Sequence, residues 1–145
     1  MQYPSPYAKV FSLWCAGLAS GTNNDFETAL GCYSQALQLI SDTRVAVEFE
    51  TEIQAALAET HYSAGHFELA LDLAQKTLVL SQQRSNRLTE CRARIILGAV
   101  FRWQAQEKTL QAAADSFLQA EQLITLTNAT AYQPSLQIER MRLGT

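Results

Sequence analysis

The chain has 145 residues, enough for about one domain, so we expect a single domain rather than two independent ones. It is 48% hydrophobic and 17% charged, which is typical of a folded globular protein and excludes an acidic disordered tail. A formal net charge of -3 provides no general attraction for a phosphate backbone, so a nucleic-acid partner is not expected.

Helices dominate the predicted secondary structure. No proline lies between Pro6 and Pro134, and because proline breaks helices this long interval predicts an all-helical chain. Asn24 followed by Glu27 three residues later predicts a capping box at the start of the second helix. The apolar periodicity predicts helices at 7–20, 24–40, 44–64, 67–83, 87–105 and 109–126, with a short last helix at about 134–143.

The first predicted helix also has features of a signal peptide, since Lys9 precedes the apolar stretch Val10–Ala19. However, Trp14 stands directly before Cys15, where a lipoprotein signal requires a small residue. The stretch is also too short to span a bilayer, and no other segment is long enough. We therefore interpret it as a helix of the folded domain and expect no membrane partner.

The cysteine content favours a reducing compartment. Cys15, Cys32 and Cys91 are odd in number and contain no CxxC pair, so they indicate neither a disulfide framework nor a zinc site. We expect a cytoplasmic protein. Cys91, between Glu90 and Arg92, fits either a low-pKa thiol or a buried core residue.

No pattern in the chain predicts catalysis. Phosphate-binding loops, dinucleotide-binding glycine motifs and the G-x-S-x-G motif of hydrolases are all missing from the sequence. His61 and His66 are five residues apart, which separates them by about 140° on a regular helix, so we expect them not to bind one metal ion together. The chain is therefore predicted to be no enzyme and to carry no metal and no cofactor.

One signature, A-x3-aromatic-x2-A, recurs along the chain and indicates repeated structure. Small residues at intervals of three and four share one helical face and allow a neighbouring helix to approach closely, while the aromatic residue fills the gap beside them. A second apolar helix and a turn precede each copy, so each unit is predicted to be a helical hairpin. The three copies are Ala29, Tyr33, Ala36; Ala70, Ala74, Thr77, with smaller residues; and Ala113, Phe117, Ala120. The preceding turns are Ser20–Asp25, Ser63–His66 and Gln104–Thr109.

These residues resemble the tetratricopeptide repeat family. In the best-matching stretch, Leu57–Leu78, small residues on the first helix precede Gly65 in the turn, an aromatic residue and then alanines on the second helix. The first and third units match at Gly17 and Gly98 and around their signatures. Successive copies of the signature are 41 and 43 residues apart, which exceeds the family's usual period of about 34. In this respect the chain is more similar to the long-period arrays of bacterial signalling ATPases and transcription activators.

The resemblance implies an all-α, right-handed α-solenoid of about three antiparallel helix hairpins plus a short C-terminal helix. Its units run over about 5–41, 43–83 and 86–127, and together they make residues 1–145 a single domain. The chain is interpreted either as a whole protein or as a fragment of a larger signalling protein. Neighbouring units of such an array share one elongated core, because no hairpin buries its apolar face alone.

The resemblance also implies that a peptide or protein segment binds the concave face, with aromatic anchors and with charges that set its register. The candidate groove residues, on the second and third units, are Glu52, Glu59, Tyr62, Arg92, Arg102 and Trp103. The corresponding inner row of the first unit, Phe11, Trp14 and Leu18, is more apolar. Alternatively, the acidic and basic groove residues pair with each other, and Trp103 belongs to the core.

A second candidate surface is a basic stripe formed by Arg84, Arg87 and Arg94, suited to phosphate or an acidic partner. Two other functions stay open. The first is a sensor of a small molecule or signal peptide, in which Trp14, Tyr62 and Trp103 would line a closed pocket. The second is a self-association module that uses an exposed apolar end of the array.

Overall fold

A computed structural model describes residues 4–104 and 107–144, with the backbone alone for 107–110. Within these ranges the protein consists of helices and contains no strand, which confirms the predicted all-α class. Two short 3-10 helices, Val47–Phe49 and Thr130–Tyr132, precede α3 and α7. The α-helices are α1 Pro6–Thr22, α2 Phe26–Thr43, α3 Glu50–Ser63, α4 Phe67–Gln83, α5 Arg87–Trp103, α6 Glu107–Thr127 and α7 Gln133–Leu143.

The largest boundary error concerns α3, which begins at Glu50 rather than at residue 44. Arg44 and Ala46 have φ values of 57° and 60°, and a residue in this left-handed region cannot continue a right-handed helix. The predicted turn Gln104–Thr109 and the predicted end of the fifth helix at 105 include positions 105 and 106, which lie outside the described residues.

The capping box predicted at Asn24 is also wrong. Asn24 adopts a left-handed conformation with φ 60°. Asp25 is the N-cap of α2 instead, and its Oδ1 accepts a hydrogen bond of 3.2 Å from the Thr28 amide. The cap therefore lies one residue later than the sequence pattern indicated.

The same three-residue turn joins several consecutive helices. Its middle residue is left-handed, with φ 60° at Asn24, 83° at Gly65 and 54° at Ser85. The amide of the residue after it donates to a carbonyl five positions back, at 2.8 Å from His66 to His61 and 2.8 Å from Asn86 to Ser81. This is the Schellman ending, which satisfies carbonyl groups that a helix end leaves free.

Consecutive helices pack against each other along the chain, and α3 also contacts α1 and α5, while α5 contacts α7. The odd-numbered helices thus lie side by side. We call the surface that α1, α3, α5 and α7 form together the odd-helix face. No helix within the described ranges has both the length and the apolar character needed to cross a membrane.

The repeated signature forms the centre of the core. All nine of its residues are buried, and two glycines accommodate its aromatic side chains. A Cβ atom added at Gly17 would overlap the ring of Tyr33, and one added at Gly98 would overlap the ring of Phe117. The close approach predicted from small residues therefore occurs between α1 and α2 and between α5 and α6.

Candidate interaction face

An ion pair joins α3 to α5 in the middle of the odd-helix face. The Arg92 guanidinium donates to both carboxylate oxygens of Glu59, from Nε at 3.0 Å and from Nη2 at 2.9 Å. Burial alone lowers the pKa of Arg92, but the carboxylate of Glu59, with smaller contributions from Tyr132 and Glu52, reverses the direction and raises it. Arg92 therefore remains charged, and its guanidinium binds the Glu59 carboxylate through both of these hydrogen bonds.

A second polar cluster joins α5 to α3 and α7. The Tyr62 hydroxyl accepts hydrogen bonds of 2.8 Å from both Arg102 Nη2 and Trp103 Nε1. Arg102 Nη2 also donates to Glu139 at 3.1 Å, and its guanidinium lies 5.0 Å from the centre of the Trp103 ring. Trp103 stacks on Phe67 with 5.2 Å between ring centres. This cluster attaches α7 to the preceding helices.

The six candidate groove residues are thus divided between two clusters on one face. Glu59 and Arg92 pair in the first, with Glu52 close enough to affect the Arg92 pKa. Tyr62, Arg102 and Trp103 form the second. In both clusters the polar groups bind each other, which agrees with the alternative that the acidic and basic side chains pair within the chain. Trp103 remains 54% exposed and is not a core residue.

An open cleft of about 400 Å³ lies between α3, α5 and α7. Tyr62, Ile95 and Ala99 line one side, while Ile138 and Glu139 of α7 line the other. Glu139 is buried between Arg102 and Arg142, at 3.1 Å and 3.0 Å. Glu139 could not be identified from the sequence, because an acidic residue in a polar helix gives no sign that it will be buried against two arginines.

An exposed apolar stripe covers the N-terminal end of the odd-helix face. Tyr7, Phe11 and Leu18 of α1 are 45%, 48% and 46% exposed. Phe49, just before α3, lies beside them, with ring centres 5.2 Å from Trp14 and 5.9 Å from Tyr7. We call Tyr7, Phe11, Trp14 and Leu18 the aromatic stripe. The sequence indicated its last three residues, and the spacing 7, 11, 14, 18 could have revealed Tyr7 as well.

The aromatic residues considered for a sensor pocket belong to two separate clusters. Trp14 packs against Phe49 and Phe11, whereas Tyr62 and Trp103 are hydrogen-bonded to each other. The 400 Å³ cleft contains Tyr62 on its wall and is open on one side. The described residues therefore form no closed pocket that is lined by all three aromatic side chains.

The candidate basic stripe is largely engaged with the chain itself. Arg84 Nη1 donates to the Val47 carbonyl at 3.1 Å, and its Nη2 lies 3.4 Å from Glu50. Arg94 pairs with Glu90 at 3.0 Å and also donates to a side chain of α6. Arg87 is exposed. The contacts of Arg84 and Arg94 connect neighbouring helices, which leaves less of the stripe available to a partner.

The two histidines lie closer together than the helical spacing predicted, with 3.1 Å between their Nδ1 atoms. His66 follows the left-handed Gly65, so the turn brings its ring back toward His61 at the end of α3. Burial lowers the pKa of His61, and the neighbouring His66 lowers it further. Within the described ranges, no group of three or more histidine, cysteine or acidic residues is placed to hold a metal ion.

The lowered pKa of His61 predicts a specific loss of stability in acid. Its ordinary pKa is 6.5, so the folded state resists a proton that the unfolded state accepts as the pH falls below that value. We expect the free energy of unfolding in urea to decrease more steeply between about pH 7 and pH 5 for wild type than for His61→Gln. The His66→Gln variant should retain part of this pH dependence, because burial still lowers the pKa of His61. Parallel pH profiles for wild type and His61→Gln would contradict this assignment.

Cys91 is a core residue rather than a reactive thiol. It is fully buried, its Sγ lies 3.7 Å from the Ala120 carbonyl, and burial raises its pKa to about 11. We expect iodoacetamide at about pH 8 to modify the exposed Cys15 at least ~100-fold faster than Cys91, measured by peptide mass spectrometry. Unfolding in urea should abolish the difference. Equal rates in the folded protein would show that Cys91 is accessible.

Comparison of the sequence with protein-family models gives no match, and comparison with curated protein sequences gives no significant match.

Proposed function

We propose that the protein is a helical-repeat module without enzymatic activity that binds a segment of a partner protein along its odd-helix face. The observation that carries this proposal is the aromatic stripe. Single exposed apolar residues are common on protein surfaces, but a contiguous patch of large ones is typical of an interaction site. Three residues of the stripe are about half exposed, and Phe49 extends the patch to a second helix.

The architecture that we propose with this function is a right-handed α-solenoid of the tetratricopeptide type. Its hairpins are α1–α2, α3–α4 and α5–α6, with α7 as a closing helix. Two observations support it: the signature is buried at equivalent places in all three pairs, and each odd-numbered helix contacts the next one. In such an array the odd-helix face is the concave surface.

The charged clusters and the aromatic stripe have different roles in this proposal. Arg92 is mostly buried and held by Glu59, so freeing it for a partner would leave the Glu59 carboxylate without its cation. We therefore assign the charged pairs to the spacing of α3, α5 and α7. Binding energy comes from the stripe, because large aromatic side chains that lose their contact with water dominate protein interfaces.

The experiment that tests the function is a display selection of random linear peptides on the folded protein. Affinities of the enriched peptides are then measured for wild type, Phe11→Ser and Leu69→Ser. Leu69 lies on α4 and is 54% exposed, so Leu69→Ser removes a similar apolar surface from a different helix. We expect at least a tenfold loss of affinity for Phe11→Ser alone. Equal affinities for the three proteins would contradict the proposal.

The proposed location is the cytoplasm. Cys15, Cys32 and Cys91 are all free thiols, which supports a reducing compartment.

A further inference from the structure

We propose that the aromatic stripe docks a basic amphipathic α-helix of the partner; this inference rests on the function proposed above. The stripe residues 7, 11, 14 and 18 follow steps of four, three and four, which is the a/d spacing of a helix that packs against another helix. From the first to the last of these residues the helix rises about 16 Å, or three turns. A partner helix with apolar residues at the same spacing can pack along the whole of this row.

The stripe has the width that a helix requires. Phe49 lies beside α1, with its ring centre 6.4 Å from Phe11 and 5.2 Å from Trp14. Phe49 therefore widens the apolar surface beyond α1, and its ring fills the space beside Phe11 and Trp14. Side chains of an incoming helix can pack over this continuous surface, as the ridges of one helix pack against the surface of another.

The charges beside the stripe are acidic. Glu48 lies near the Tyr7 hydroxyl at one end, and Glu59 lines a cleft together with Leu18 at the other. Glu52, in α3, lies between them in the sequence and is close enough to Arg92 to raise its pKa. Arg92 neutralises Glu59, but Glu48 and Glu52 make no ion pair within 4.0 Å among the described residues. Lysine or arginine residues flanking the apolar positions of the incoming helix would complement this excess of negative charge.

The same charges disfavour a second copy of the chain as the occupant. A symmetric dimer through the stripe would place two copies of one surface against each other. Glu48 and Glu52 of each copy would then border the same contact, and like charges at an interface oppose association. The apolar stripe alone would permit self-pairing, so the acidic border decides for a basic partner.

The test is a second display selection, made with helices of about 21 residues. Leucine is fixed at the a and d positions, and the flanking positions vary among lysine, glutamate and glutamine. We expect lysine to be enriched at the flanking positions after selection on wild type. Equal frequencies of lysine and glutamate, or an excess of glutamate, would overturn the inference.

Variants then locate the binding of the best lysine-rich helix, measured by fluorescence anisotropy. Phe11→Ser and Leu18→Ser should each weaken it at least tenfold, and Glu48→Lys with Glu52→Lys should shift the selection toward glutamate. Leu69→Ser should have no effect, and circular dichroism should be unchanged in all variants. Retained affinity in both Phe11→Ser and Leu18→Ser would place the helix elsewhere.

Light scattering of the protein alone is expected to give the mass of a monomer. A dimer that Phe11→Ser converts to a monomer would assign the stripe to self-association and overturn the inference.

The outcomes separate this inference from the function on which it rests. If random peptides bind in a Phe11-dependent way but the lysine-rich helices do not, the module binds a partner segment of another chemistry, and the inference alone fails. If neither library yields a Phe11-dependent ligand, the proposed function fails with it.

Discussion

Phe117→Ala is expected to lower the free energy of unfolding by about 3–5 kcal/mol. Phe117 is fully buried in the third copy of the signature, with Ala113 and Ala120 on the same helical face. Its ring fills the space above Gly98, where α5 approaches α6. Removing the ring would leave a cavity that the two helices cannot close without moving together. Urea unfolding followed by circular dichroism measures the change.

The matched control is Leu118→Ala, one residue further along α6. Leu118 is 49% exposed, and its truncation should change the free energy of unfolding by less than about 1 kcal/mol. A similar loss for both variants would mean that Phe117 is not the residue on which the packing of α5 and α6 depends.

Gly98→Ala is expected to destabilise the protein by about 1–3 kcal/mol, although alanine favours a helix more than glycine does. The added Cβ would overlap the Phe117 ring, which is itself enclosed by the core and cannot move aside. The overlap therefore outweighs the gain in helix propensity. Thermal and urea unfolding of the variant measure the balance.

Gly31→Ala is the control with the opposite expected sign. Gly31 lies in the middle of α2, and a Cβ there meets no atom within 4 Å. Only the propensity term remains, so this variant should gain about 0.5–1 kcal/mol. If Gly98→Ala is also stabilising, the helices α5 and α6 do not approach as closely as described.

The sequence was sufficient to predict the helices and the buried signature. Both depend on local information: the absence of proline between Pro6 and Pro134, and small residues repeated at helical spacing. The errors lie in the connections. The interruption at Arg44 and Ala46 involves neither glycine nor proline, and residues such as Arg and Ala rarely adopt positive φ, so no sequence signal marked it.

The candidate site could be predicted only in part. Periodicity placed Glu59, Arg92 and Arg102 on one face, but it could not decide whether their charges meet a partner or each other. That choice depends on side-chain distances across helices, and here Arg92 reaches Glu59 while Arg102 reaches Glu139 of α7. The proximity of His61 and His66 was missed for a related reason, because the turn at Gly65 reverses the chain between them.

Binding of a partner segment to the odd-helix face is tested most directly by following the backbone amide chemical shifts of the protein in solution while a peptide enriched on wild type is added. We expect the largest changes in α1, around Phe49 and along α3, with small changes in α2, α4 and α6. Changes concentrated on the even-numbered helices would contradict this expectation, because the partner would then bind the surface opposite the aromatic stripe.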